Sequence, residues 1–228
     1  MSITTDHSRA VLAGDHSHGA LPDASRADRP TSFDPNDFGV PTGREENWRF
    51  SPVRQLKAMF ANEGGDGHLV WETSVLPDGV TLTEVSQPDA EARSVRAPGD
   101  RASAIAVARS GGATALSIAP GITLEEPITV TLTGTGGEVR GHLLFEVGEG
   151  SDVTVVVERL GTAVYSEFVS VDVANGATLN LVLTQQWDDD AVHVGEVVAR
   201  LGKDAHLRGT VVTLGGKVVA EHLGRLRG

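Results

Sequence analysis

The chain has 228 residues, 39% of them hydrophobic and 22% charged, with a formal net charge of −12 and a pI near 5.0. An acidic surface repels nucleic-acid phosphates and anionic lipid, no apolar run approaches the roughly 18–20 residues that cross a bilayer, and residues 1–20 lack the apolar stretch of a secretory signal. The expectation is a cytoplasmic protein without nucleic-acid or membrane partners; with no cysteine, the chain also has no disulfide, Cys-ligated zinc, cysteine nucleophile or thiolate-held cluster of its own.

Residues 1–40 read as a disordered tail, polar and without a hydrophobic period. The tract Asp15-His16-Ser17-His18, with His7 nearby, offers imidazoles and a carboxylate to a metal, but ordering a tail around an ion costs conformational entropy, and a plain polar tail is the preferred reading. Residues 41–112 read as a small α/β cap. Within it 52–60 has the marks of a short helix, with Ser51 as cap, Pro52 in the first turn and an apolar stripe of Val53, Leu56, Met59 and Phe60. Trp48 and Phe50 are expected to anchor its entry on the core. Strands are expected at 69–71 and 80–85 around a Pro77-Asp78-Gly79 turn, and a helix at 100–109 with Asp100 as its cap.

From residue 113 the texture is strands and turns only. Strand candidates fall at 116–119, 128–133, 143–147, 153–158, 168–173, 179–184, 194–200, 207–214 and 218–221. Their turns resemble one another: Gly121-Ile122-Thr123-Leu124, Gly150-Ser151-Asp152-Val153, Gly176-Ala177-Thr178-Leu179 and Asp204-Ala205-His206-Leu207, spaced 29, 26 and 28 residues apart. A repeat of this length marks a stacked architecture. In a parallel β-helix the Gly, or an Asp in its place, turns the corner with positive φ, and the apolar residue three positions on points inward. An antiparallel sandwich would favour tight Asn-Gly or Asp-Gly hairpins; of the two such dipeptides, Asn175-Gly176 belongs to the repeat.

Motifs for chemistry are sparse. No phosphate-cradling glycine loop, nucleophile elbow or HExxH motif is present. Asp188-Asp189-Asp190 carries hard oxygen ligands, yet consecutive side chains on an extended segment diverge, so a solvated acidic turn is preferred. Glu158, Glu167, Glu196 and Glu221 could line a uronate-binding groove; a solvated strand face is preferred. His193, His206 and His222 read as exposed or hydrogen-bonded histidines, with a proton relay or iron site inside the helix as the alternative. No catalytic, cofactor-binding or metal-ligating residue is assigned.

Taken in order, the features resemble one family. Residues Gly43-Arg44-Glu45-Glu46-Asn47-Trp48-Arg49-Phe50-Ser51-Pro52 are similar to the G-x-E-x-W-R-[YF]-[TS]-[PD] stretch of SufD-type proteins. Pro120-Gly121-Ile122-Thr123-Leu124-Glu125-Glu126-Pro127-Ile128 resembles the entry to the SufB/SufD core. Phe145-Glu146-Val147-Gly148-Glu149-Gly150-Ser151-Asp152-Val153, with Val157-Glu158, resembles its V-G-E strand pair, and Asn175-Gly176-Ala177-Thr178-Leu179 its N-A-x-L turn. The resemblance runs from Gly43 to Gly228, and the Trp-Arg stretch favours the SufD branch.

The resemblance implies a right-handed parallel β-helix (residues 113–228) that ends in mid-helix, and a non-catalytic scaffold for iron–sulfur cluster assembly. It implies SufB and the ATPase SufC as partners, the latter through a C-terminal region outside this sequence. It implies no cofactor held by this chain alone; a cluster, and with it a flavin, would belong to the complex. The rival reading is a cytoplasmic β-helix that acts on or binds carbohydrate. Low aromatic content (4%) argues against it, because sugar sites stack rings on aromatic side chains.

Overall fold

A computed structural model describes residues 30–227. Nine strands and two α-helices follow in chain order: β1 (Leu69–Thr73), β2 (Val80–Val85), α1 (Gln87–Arg93), α2 (Arg101–Arg109), β3 (Ala113–Ile118), β4 (Ile128–Val147), β5 (Asp152–Val173), β6 (Thr178–Trp187), β7 (Val192–Leu201), β8 (His206–Thr213) and β9 (Val218–Arg227). From β3 onward every strand pairs parallel with the strand one coil away, which makes a β-solenoid of about four turns and excludes the antiparallel sandwich.

The coils are flattened into two faces. The first face stacks the N-terminal half of β4, the N-terminal half of β5, then β6 and β8; the second stacks β3, the C-terminal halves of β4 and β5, then β7 and β9. The long strands β4 and β5 run through both. At the outset the stack is closed by antiparallel strands, β1 on β4 and β2 on β3, so the first coil offers no long free edge there.

The corner between the faces is set by backbone chirality. Gly121, Gly150 and Gly176 have φ of +74°, +68° and +65°, and Asp204, with φ +55°, is the one non-glycine with positive φ among the described residues. An L-residue pays roughly 1–2 kcal/mol in this region, and Asp is among the few that enter it. The residue two positions after each corner pairs in register with its counterpart: Thr123 with Asp152, Asp152 with Thr178, Thr178 with His206. Constant register stacks like on like. Ile128, Val155 and Leu181 form one inward column, Val130, Val157 and Leu183 the next, and Phe145, Val171 and Ala199 face them from the second face. Burying such side chains contributes roughly 1.5–3 kcal/mol each.

The second face is covered on its outside as well. Trp48, Leu56, Met59, Phe60 and Ala102 pack on Val192, Val194 and Val218, while Val107 packs on Phe168 and Val198. Residues 102–107 of α2 are all buried, and Asp100 caps that helix by accepting from Ser103 N. Among the described residues the first face has no such cover, and it shows the alternating pattern of a half-exposed sheet.

Several expectations need correction. Residues 52–60 form turns and a 3-10 helix at Lys57–Phe60, not an α-helix. Leu56, Met59 and Phe60 are nonetheless buried and Val53 partly so; three residues per 3-10 turn bring Leu56 and Met59 to one side. Phe50 is no anchor: Trp48 is 3% exposed and Phe50 93%. Residues 31–40, counted above with the tail, are placed, with a 3-10 turn at Pro35–Asp37 whose carbonyls at Pro35 and Phe38 accept from Arg101 Nη1. The rest of the tail, with its histidines, lies outside the described residues. Helix α1 was not foreseen, although Ser86 followed three residues later by Asp89 is a capping signal, and the Ser86 side chain does accept from Asp89 N.

Because nothing lies within 4 Å of a Cβ built on Gly176, Gly176→Val isolates the torsional cost of the corner. It should lower unfolding free energy in urea by about 1–2 kcal/mol, with Asp204→Gly within about 0.5 kcal/mol of the parent. By the same measurement Trp48→Ala should cost about 3–5 kcal/mol and Phe50→Ala less than about 0.5 kcal/mol.

Candidate functional site

Strand alternation decides where each ionisable side chain goes. Along β5, Val153, Val155 and Val157 point inward on the first face, so Arg159 points inward too, in the column Leu132, Arg159, Gln185. On the second face Val169, Val171 and Val173 point inward, so Glu167 and Tyr165 do as well. Register then places Gly141, Glu167 and Gly195 in one column and Val139, Tyr165 and His193 in the next. A polar cluster results inside the solenoid, with Arg159, Tyr165, Glu167, Gln185 and His193 all at 0% exposure.

Arg159 Nη2 crosses the core to Glu167 Oε1 in a fully buried ion pair. His193 Nε2 lies 3.2 Å from the same oxygen. The Tyr165 ring stacks on His193 with centroids 5.3 Å apart, and Trp187 closes the cluster, donating from Nε1 to Gln185 Oε1 at 2.8 Å. Gly141 is required beside Tyr165: a Cβ there would sit 2.2 Å from the phenol oxygen.

Burial alone would raise the Glu167 carboxyl; the Arg159 charge, with His193 and Tyr165, outweighs it and holds the group at about 2. Burial, then the Glu167 charge, pushes the Tyr165 phenol well above its usual range. Near neutral pH Glu167 is therefore a carboxylate and Tyr165 a neutral phenol, neither poised to exchange a proton with a substrate.

A second group lies on the outside of the second face, beneath the loop that leads into α2. Glu196 accepts from Arg96 Nη2 at 2.6 Å and from Gly99 N at 2.9 Å, pinning that loop to β7. Burial, and then the neighbouring Asp100, raises the Glu196 carboxyl. His222 Nδ1 stands 3.3 Å from Asp100 Oδ2, and its ring meets the edge of Trp48. His142, also on this side, is buried against Phe168 with Nε2 3.0 Å from Ser94 Oγ; burial lowers it to about 4.

The four glutamates that sequence alone grouped together are thus separated. Glu167 is inside, Glu196 is under the cap, and Glu158 sits half-buried on the outer first face, accepting from Thr131 Oγ1 at 3.1 Å. The Glu221 side chain lies outside the described residues. A solvated strand face is wrong for Glu167 and Glu196, because strand parity and the cap bury them. Of the histidines, His193 is interior, His206 exposed and His222 partly buried. Asp188, Asp189 and Asp190 are an exposed turn, with Asp190 Oδ1 accepting from Thr162 Oγ1. Among the described residues no three His, Asp or Glu side chains are placed to hold a metal ion, and no helix is long and apolar enough to cross a membrane. Arg159, Tyr165 and His142 went unnoticed in the sequence; counting parity from Val153 would have found Arg159.

Residues 130–224, most of the stacked region, match the family described as SUF system FeS cluster assembly, SufBD core domain. The chain belongs to the SufBD family. It is 35% identical over 190 residues to the iron–sulfur cluster assembly SufBD family protein of Mycobacterium leprae, covering 82% of this chain and 48% of that one. It is 36% identical over 191 residues to the proteins of that description in Mycobacterium tuberculosis and Mycobacterium bovis, with the same coverage. The chain thus spans about half the length of the curated relatives it matches. No solved structure matches it.

In this SufBD chain, Arg159→Met should lower stability by about 3–5 kcal/mol, because the Glu167 charge is left buried without its cation, whereas Arg159→Met with Glu167→Leu should recover most of the loss. Protonation gives a second test. The folded His142 is depressed from 6.5 to about 4, so its contribution is complete above pH 6.5 and is lost as pH falls to about 4. Glu196, raised, works in the opposite direction but is common to parent and variant. Urea midpoints should show the parent losing about 2–3 kcal/mol more than His142→Gln across that window.

Proposed function

We propose that this chain serves as a non-catalytic, SufD-type scaffold in a SufBCD complex, supporting iron–sulfur cluster assembly and transfer. The observation that carries the reading is the stacked SufBD core itself: an in-register parallel stem with a locked interior ion pair, in a sequence without cysteine. A stretch with no thiolate has no sulfur ligand to offer a cluster, so its contribution is geometric. Such a stem is stiff, since each coil is bonded to the next along both faces, and it would hold a partner β-helix of SufB in register while ATP-driven motion of SufC exposes the assembly site. The SufD assignment, rather than SufB, is supported by the stretch around Trp48-Arg49-Phe50.

The carbohydrate reading has no observation in its favour. A saccharide groove needs carboxylates gathered on one open face, and Glu167 and Glu196 are buried on opposite sides of one sheet.

The test is co-expression with SufB and SufC from the same organism, followed by size-exclusion chromatography. The chain should elute with SufB, and after iron and sulfide reconstitution the visible cluster absorbance should require SufB. Failure to associate with either protein, or a cluster held by the chain alone, would contradict the proposal.

A further inference from the structure

The stretch from Val40 to Lys57 lies outside the residues matched by the family core and has a use that packing does not explain. It buries Trp48 and Leu56, yet leaves Phe50 93% and Val40 58% exposed. Within seven residues of Phe50 in sequence are Arg44, Arg49, Arg54 and Lys57, all exposed, and among the described residues none of the four is in a salt bridge. The Arg49 guanidinium sits 5.6 Å from the Phe50 ring centroid. Of the two acidic residues in the stretch, Glu45 is turned onto its own loop, accepting from Thr42 N, Thr42 Oγ1 and Gly43 N. In the same stretch a cleft of about 560 Å³ opens between Thr42, Gly43, Pro52, Val53 and Arg54.

We propose that this face docks a short acidic segment of a partner protein, an apolar side chain of which packs on the exposed Phe50 ring. An exposed aromatic flanked by arginines is the composition of an interface hot spot. A local excess of cations on a protein of net charge −12 selects a compact acidic ligand. A long polyanion such as nucleic acid, or an anionic membrane, would also meet the acidic remainder of the surface and be repelled. The proposal is independent of the scaffold reading above.

Fluorescence anisotropy with the full chain tests it, using as probe a labelled short peptide of Asp and Glu around a central Leu-Phe pair. Binding should weaken by about tenfold in Phe50→Ala, and by as much when the central pair of the peptide is replaced by Ser-Ser. Arg49→Glu with Arg54→Glu should abolish it, and Arg54→Gln should weaken it, with melting temperatures unchanged because these side chains are exposed. Val75→Ala, at a 95% exposed valine elsewhere, should change nothing. Higher salt should weaken binding, as it does for exposed charges. No binding, binding indifferent to Phe50 and Arg54, or equal binding of an oligothymidylate or of phosphatidylglycerol vesicles through the same residues would overturn the proposal.

Discussion

A left-handed backbone corner, repeated once per coil, is the constraint on which the rest of this molecule depends. It returns the chain to the same place after each circuit, so that residues 26 to 29 apart pair in register. Register and the two-residue alternation of a strand then assign every side chain of a coil to the inside or the outside. The valine and leucine columns are the favourable result of that assignment. The ion pair of Arg159 and Glu167 is its costly one, since both charges leave water and depend on each other for compensation.

The two faces have different fates. The second carries apolar residues on both sides, as its double coverage requires, and β7 is buried along nearly its whole length. The cap is held there by apolar contact around Trp48 and by the grip of Glu196 on Arg96 and Gly99. Among the described residues the first face has no such cover, so the stem has one covered face.

Much of this was legible in the sequence, and for identifiable reasons. Glycine at 121, 150 and 176 with Asp at 204 is a torsional signal, readable without neighbours, and all four positions have positive φ. Leu124, Val153, Leu179 and Leu207 were expected inward and pack in or against the core. Asp100 as a helix cap needs only its own turn. What failed depends on contacts between distant residues. Glu196 reads like Glu158, since both point outward, until the loop of Arg96 and Gly99 is known to cover it. Phe50 reads like Trp48 because both are aromatic; only the cap geometry separates them. The short helix expected at 52–60 had the right stripe but too great an extent, since only Lys57–Phe60 is helical, as a 3-10 turn.

The stacking itself is the claim to test most directly, and a chain without cysteine permits a clean measurement. Val156 and Val182 are direct neighbours on the outer first face, in adjacent coils. Neighbouring strands lie about 4.8 Å apart, within the Cα separation a disulfide accepts. Val156→Cys with Val182→Cys should close a bond under mild oxidation, shifting mobility on a non-reducing gel, whereas Val156→Cys with Gln186→Cys should stay open. A bond formed by the second pair and not the first would show that the coils do not stack in this register, and the account built on the corners would fail.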